Sequence, residues 1–191
     1  MRMGRKNYDD ITWKGQIFGM LGVHAYITLI AVVFGLVAFW WFLAQRTWNL
    51  VYSMIFTVVY FMVLYSKAWR TATYDKHPHV KTKSYPWKGL LLALGVVLSI
   101  LFAWILMRMT WILPHDETKI NIVGMVLNAV FVLWTYPFNG IQCVYQGGIH
   151  WYAHIIMYGV PILACTIGYF AGYHEVRITD KITPLFYEKK E

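Results

Sequence analysis

Charge is what this sequence has least of. Only 14% of its 191 residues are Asp, Glu, Lys or Arg, against about a quarter in a soluble domain. The nine acidic residues avoid the stretches 15–45, 47–66, 89–107 and 120–174 altogether. A carboxylate inside those stretches, of the kind that relays protons or holds sodium within a membrane, is therefore absent. The two cysteines, Cys143 and Cys165, form no CxxC and lie in apolar sequence, where free buried thiols are the expectation. Neither GxSxG, HExxH, a phosphate-binding loop nor a haem-attachment motif is present, so the sequence leans away from a familiar catalytic centre. Alternation with a period of two is missing as well, which removes the strand signature. No repeat of 20–50 residues stands out.

What the chain has instead is apolar length: 59% hydrophobic residues, 18% aromatic, mean hydropathy +0.47. A helix crosses the hydrocarbon with about 20 residues. The first three charge-free runs each hold one such helix. The fourth, 120–174, holds two, broken at Pro137-Phe-Asn-Gly140 and Gly147-Gly148. Lipid requires internally satisfied backbone, so runs of this length are helices. The sequence predicts an all-α, polytopic integral membrane bundle in a single domain, 1–191. Its spans are expected near 23–44, 49–66, 89–109, 120–137 and 150–173, with a basic cytoplasmic loop at 67–88 and a polar tail at 174–191. The segment 120–137 is short and ends at a proline; if it does not cross, the tail changes sides. The basic N-terminus followed by a long apolar helix without an A-x-A site reads as a retained signal-anchor.

The net charge of +8 sits between the apolar runs and points to lipid, not to nucleic acid. Arg2, Arg5, Lys6 and Lys14 precede the first span, and Lys67, Arg70, Lys76, Lys81, Lys83 and Lys88 lie in the 67–88 loop. Arg46, Arg108 and Lys119 fall on the other side, and a five-span count adds the tail's Arg177, Lys181, Lys189 and Lys190 to them. The bias places the N-terminus in the cytoplasm of a cell-membrane protein, with the 67–88 loop on anionic lipid. Five spans put Trp40, Trp41, Trp48, Trp104 and Trp111 in an outer aromatic belt. Trp13, Trp69, Trp87, Trp134 and Trp151 then form an inner one.

The stretch 147–174 carries the strongest pattern. At 100° per residue, His150, His154, Met157, Pro161, Ala164, Gly168 and Gly172 share a face about 80° wide. Two imidazoles top a ladder of small residues, of the kind that lets helices approach in lipid. Ala164, Gly168 and Gly172 are expected to pack helices, with Gly124 and Asn128 of the fourth span as the opposing face. A mid-span amide needs a hydrogen-bond partner, so Asn128 should point into the bundle. The candidate ligand-binding residues are His150, His154, Asn128, Asn139, Gln142 and Gln146, the last three around a re-entrant pocket. His150 and His154 at i, i+4 supply two metal ligands but no third. Neither a metal nor any cofactor is specified.

These residues fit a non-catalytic membrane component best, one that binds a small molecule or serves as a subunit of a transport system. A membrane protein partner or a second copy would suit the small-residue face. One alternative is a membrane-embedded metal-dependent enzyme using His150 and His154 with His115 or Glu117. Another is a haem-binding redox subunit that pairs His24 with His154 near one boundary.

Overall fold

The computed structural model describes residues 13–38, 46–76, 84–109, 122–143 and 151–175. Among them the secondary structure is helical throughout, with no strand. Helices α1 (Trp13–Val37), α2 (Arg46–Asp75), α3 (Lys88–Met109) and α6 (Trp151–Tyr173) are long and apolar enough to cross a membrane. At 1.5 Å per residue the shortest of them spans about 33 Å, more than the ~30 Å hydrocarbon core. Between them lie α4 (Ile122–Trp134), a 3-10 turn (Tyr136–Phe138) and α5 (Asn139–Cys143).

Three boundaries differ from the sequence expectation, one of them the end of α1, at Val37 and not near 44. α1 begins at Trp13 and not near 23, because Gln16 finds a buried partner on another helix. α2 runs on to Asp75, through the first part of the expected 67–88 loop. Arg70 is exposed while Ala68, Ala72 and Asp75 are buried, so the basic residues do not stop the helix from burying its other face. Thr71 and Thr73 return their hydroxyls to the carbonyls of Lys67 and Trp69, at 2.9 and 2.8 Å.

The small residues of α6 lie against α2. A Cβ on Gly168 would stand 2.5 Å from the Tyr65 carbonyl oxygen, and one on Gly172 would stand 2.5 Å from that of Trp69. Ala68 and Ala72 fill the remaining gap. Two small-xxx-small rows, Ala68/Ala72 and Ala164/Gly168/Gly172, thus meet with their backbones close. The partner of the ladder is α2, not the Gly124/Asn128 face of α4.

The ends of the four long helices fix the topology. Gln16 of α1, Asp75 of α2, Lys88 of α3 and Tyr169 of α6 all converge at one end. The start of α1, the end of α2, the start of α3 and the end of α6 therefore share that end, called the basic end below. α3 finishes and α6 begins at the opposite end, where Trp104 and His154 pack edge to face.

Between α3 and α6 the described residues are 122–143. α4 has 13 residues, about 20 Å, too short to cross. Its last residue, Trp134, reaches the middle of the bundle: its Nε1 donates to Ser99 Oγ at 3.2 Å, and its ring lies 4.8 Å from that of His24. By Gly140 the chain has returned toward the start of α2, where a Gly140 Cβ would meet the Asn49 carbonyl. α4, the 3-10 turn and α5 form a bent segment, the hairpin below, where the sequence predicts a fifth span at 120–137; among the described residues the helices long enough to cross number four. Trp134 consequently leaves the inner belt for mid-depth, and Trp151 belongs at the opposite end. Asn128 is exposed on the outer surface of α4 and does not point into the bundle.

Candidate functional site

The hairpin breaks its helix at mid-depth, and the sequence shows why. Pro137 has no N–H to donate and disfavours helix in the residue before it. The backbone it frees is recovered locally. Thr135 donates its N–H and its hydroxyl to the Phe131 carbonyl, at 3.0 and 2.8 Å, and the Phe138 N–H donates to the Thr135 carbonyl at 2.9 Å. Thr135, Pro137 and Phe138 are all buried, so the irregular turn is sheltered from lipid, as membrane depth requires. Gly140 then sits directly on α2, its N–H donating to Ser53 Oγ at 2.6 Å. Asn139 is half-buried, its N–H bonded to the Tyr136 carbonyl.

The tip of this hairpin covers a polar centre that no contiguous motif announces. His24 is fully buried, and its Nδ1 shares a hydrogen bond with Tyr60 Oη at 2.8 Å. Its Nε2 makes no hydrogen bond of good geometry among the described residues. Tyr60, also fully buried, lies edge to face with Phe138 at 5.2 Å. One turn along, Thr28 Oγ1 is buried without a partner, as is Thr57 Oγ1 on α2. The centre offers an imidazole, a phenol and hydroxyls, and contains no formal charge. Buried polar atoms with no partner are costly.

A second node closes the basic end. The Asp75 carboxylate receives Lys88 Nζ at 2.5 Å, Gln16 Nε2 at 2.6 Å and Tyr169 Oη at 2.7 Å. The Lys88 ammonium also lies 5.4 Å from the Trp13 ring and 5.9 Å from that of Tyr169. Ser84 Oγ is 3.4 Å from Tyr169 Oη. The two charges occupy the helix ends that disfavour them: Asp75 ends α2 and Lys88 starts α3. Buried ion pairs seldom add net stability over apolar packing. What this one does is register: side chains from all four long helices meet on a single carboxylate. The sequence alone places both residues in the basic 67–88 loop on anionic lipid and misses the node. A lone acid among six basic residues was the available signal.

The residues singled out from sequence do not gather into one site. His154 is half-buried at the opposite end, its ring 5.7 Å from Trp104 and stacked on Tyr158 at 5.9 Å. His24 shares neither neighbour; it sits near mid-depth because α1 starts earlier than expected, so the two histidines do not lie together at one boundary. His150 and Gln146, like His115 and Glu117, lie outside the described residues, and so does the side chain of Gln142. Asn128 and the half-exposed Gly124 are on the outside of α4. Among the described residues no three of His, Cys, Asp and Glu converge as metal ligands. Comparison of the chain with protein-family models, with curated proteins and with solved structures finds no match.

Proposed function

We propose that this is an integral membrane protein with four crossings and a re-entrant hairpin, and that it binds a small uncharged hydrogen-bonding molecule at mid-depth. It acts as a non-catalytic component of a transport system, with both chain ends in the cytoplasm. The observation that carries the reading is the helix break at Thr135–Phe138, set against His24 and Tyr60 inside the bundle. Membrane proteins tolerate irregular backbone at that depth where it is buried or lines a cavity, and discontinuous helices commonly supply solute sites near the midplane. The uncharged character of the centre supports a neutral solute, because an ion there would lack a counter-charge.

The charge distribution supports the orientation. With four crossings the tail joins the N-terminus and the 67–88 segment, so fourteen of the seventeen Lys and Arg residues belong to one side. Only Arg46, Arg108 and Lys119 remain on the other. That contrast is far sharper than a five-span count allows, and it is the cytoplasmic signature.

The test is thermal unfolding of the protein in lipid nanodiscs, for wild type and His24→Phe, against a panel of small polyols, amides and nucleobases. A compound that raises the Tm of the wild type and leaves His24→Phe unmoved supports the reading. A panel that moves neither protein, or both alike, removes it.

A further inference from the structure

An amide in hydrocarbon needs a hydrogen-bond partner, and the Asn128 side chain has none among the described residues: it is exposed on α4 and makes no side-chain hydrogen bond there. Its depth is inside the hydrocarbon. Trp134 lies at mid-depth beside Ser99 and His24, and Asn128 is six positions before it, about 9 Å along the helix. The apolar core reaches about 15 Å to either side of the midplane. Around Asn128 the helix is apolar and outward: Val123, Met125, Val126 and Val130 are 56, 64, 54 and 46% exposed. Only Phe131 of α4 is buried. Water cannot satisfy the amide there, and lipid chains have nothing to offer it.

We propose that α4 is the contact between two copies of this chain, with the Asn128 carboxamides of the two copies bonded to one another. The chemistry selects a second copy. A carboxamide carries a donor and an acceptor on one short side chain, so it is its own complement across a two-fold axis. A charged or donor-only partner would satisfy half of it. Gly124, one turn back on the same side, is half-exposed. The contact is independent of the centre at His24, which lies on the inner side of the bundle.

The experiment counts copies of the full chain in bilayers at low protein density, by single-molecule photobleaching, for wild type, Asn128→Leu and Asn128→Gln. The wild type is expected to bleach in two steps at densities where Asn128→Leu bleaches in one, with association weakened about tenfold, the size of one interhelical hydrogen bond of ~1.4 kcal/mol. Asn128→Gln restores pairing. In a chain with Cys143 and Cys165 replaced by serine, Asn128→Cys is expected to cross-link copy to copy on oxidation. A wild type that bleaches in one step at every density overturns the proposal. So does pairing unchanged in Asn128→Leu, or a different membrane protein co-purifying with single copies of this chain.

Discussion

Asp75 ends α2, Lys88 begins α3, and their side chains meet at 2.5 Å with 0 and 1% of their surfaces exposed. Removing the ammonium leaves a carboxylate charge buried beside Gln16 and Tyr169. Lys88→Met is therefore expected to destabilise the protein by on the order of 3–5 kcal/mol, and Asp75→Leu/Lys88→Met together by much less. Unfolding in mixed micelles with increasing SDS measures both. A double variant no better than Lys88→Met contradicts this account of the node.

The topology makes a prediction independent of energetics. With four crossings, a cysteine added at the C-terminus of a chain lacking Cys143 and Cys165 is expected to resist an impermeant maleimide in sealed cells and to react after lysis. An added N-terminal cysteine should behave the same way. Opposite labelling of the two ends would restore the fifth crossing.

Close packing of α6 on α2 separates two glycines of the same helix. Gly168→Ala places a methyl 2.5 Å from the Tyr65 carbonyl oxygen, whereas a Cβ at Gly159 meets nothing within 4 Å. Overpacking of this kind costs about 1–3 kcal/mol. Gly168→Ala is expected to lower Tm, and Gly159→Ala to leave it unchanged or raise it slightly. Equal effects of the two substitutions would detach the small-residue ladder from helix packing.

At mid-depth, Tyr60→Phe removes the hydroxyl that His24 Nδ1 bonds at 2.8 Å. Leaving a buried polar group unsatisfied costs about 1–3 kcal/mol. His24→Phe in that background should then cost less than it does alone, and the difference, read by SDS unfolding, is the coupling. Strictly additive losses would mean that the two side chains do not act together.

How much of this was legible in the sequence varied with what decided each feature. Helices α3 and α6 begin and end within two residues of their expected bounds, because charge flanks one and glycine the other. The all-α membrane character followed from the same runs. The start of α1 and the end of α2 were misplaced for one shared reason. Gln16 and Asp75, 59 positions apart, satisfy each other, and polarity alone reads such residues as boundaries. The hairpin was half visible in the shortness of 120–137 and in Pro137, but its depth depends on where Ser99 and His24 stand on other helices. Likewise, nothing local to His24 or Tyr60 told of their meeting, since 36 positions separate them. The Asn128 expectation was physically sound in demanding a partner, but the side chain is exposed on α4 and not turned into the bundle.

The convergence on Asp75 also bears on how the chain is made. As α2 leaves the ribosome it carries a carboxylate whose lysine has yet to be synthesised, and whose tyrosine lies a further 81 residues beyond that. Insertion of α3 supplies the counter-charge. Only the last span, arriving after the hairpin, brings Tyr169 and seats its glycines on α2. A chain halted before residue 151 holds the ion pair but leaves Ala68, Ala72 and one face of the carboxylate uncovered.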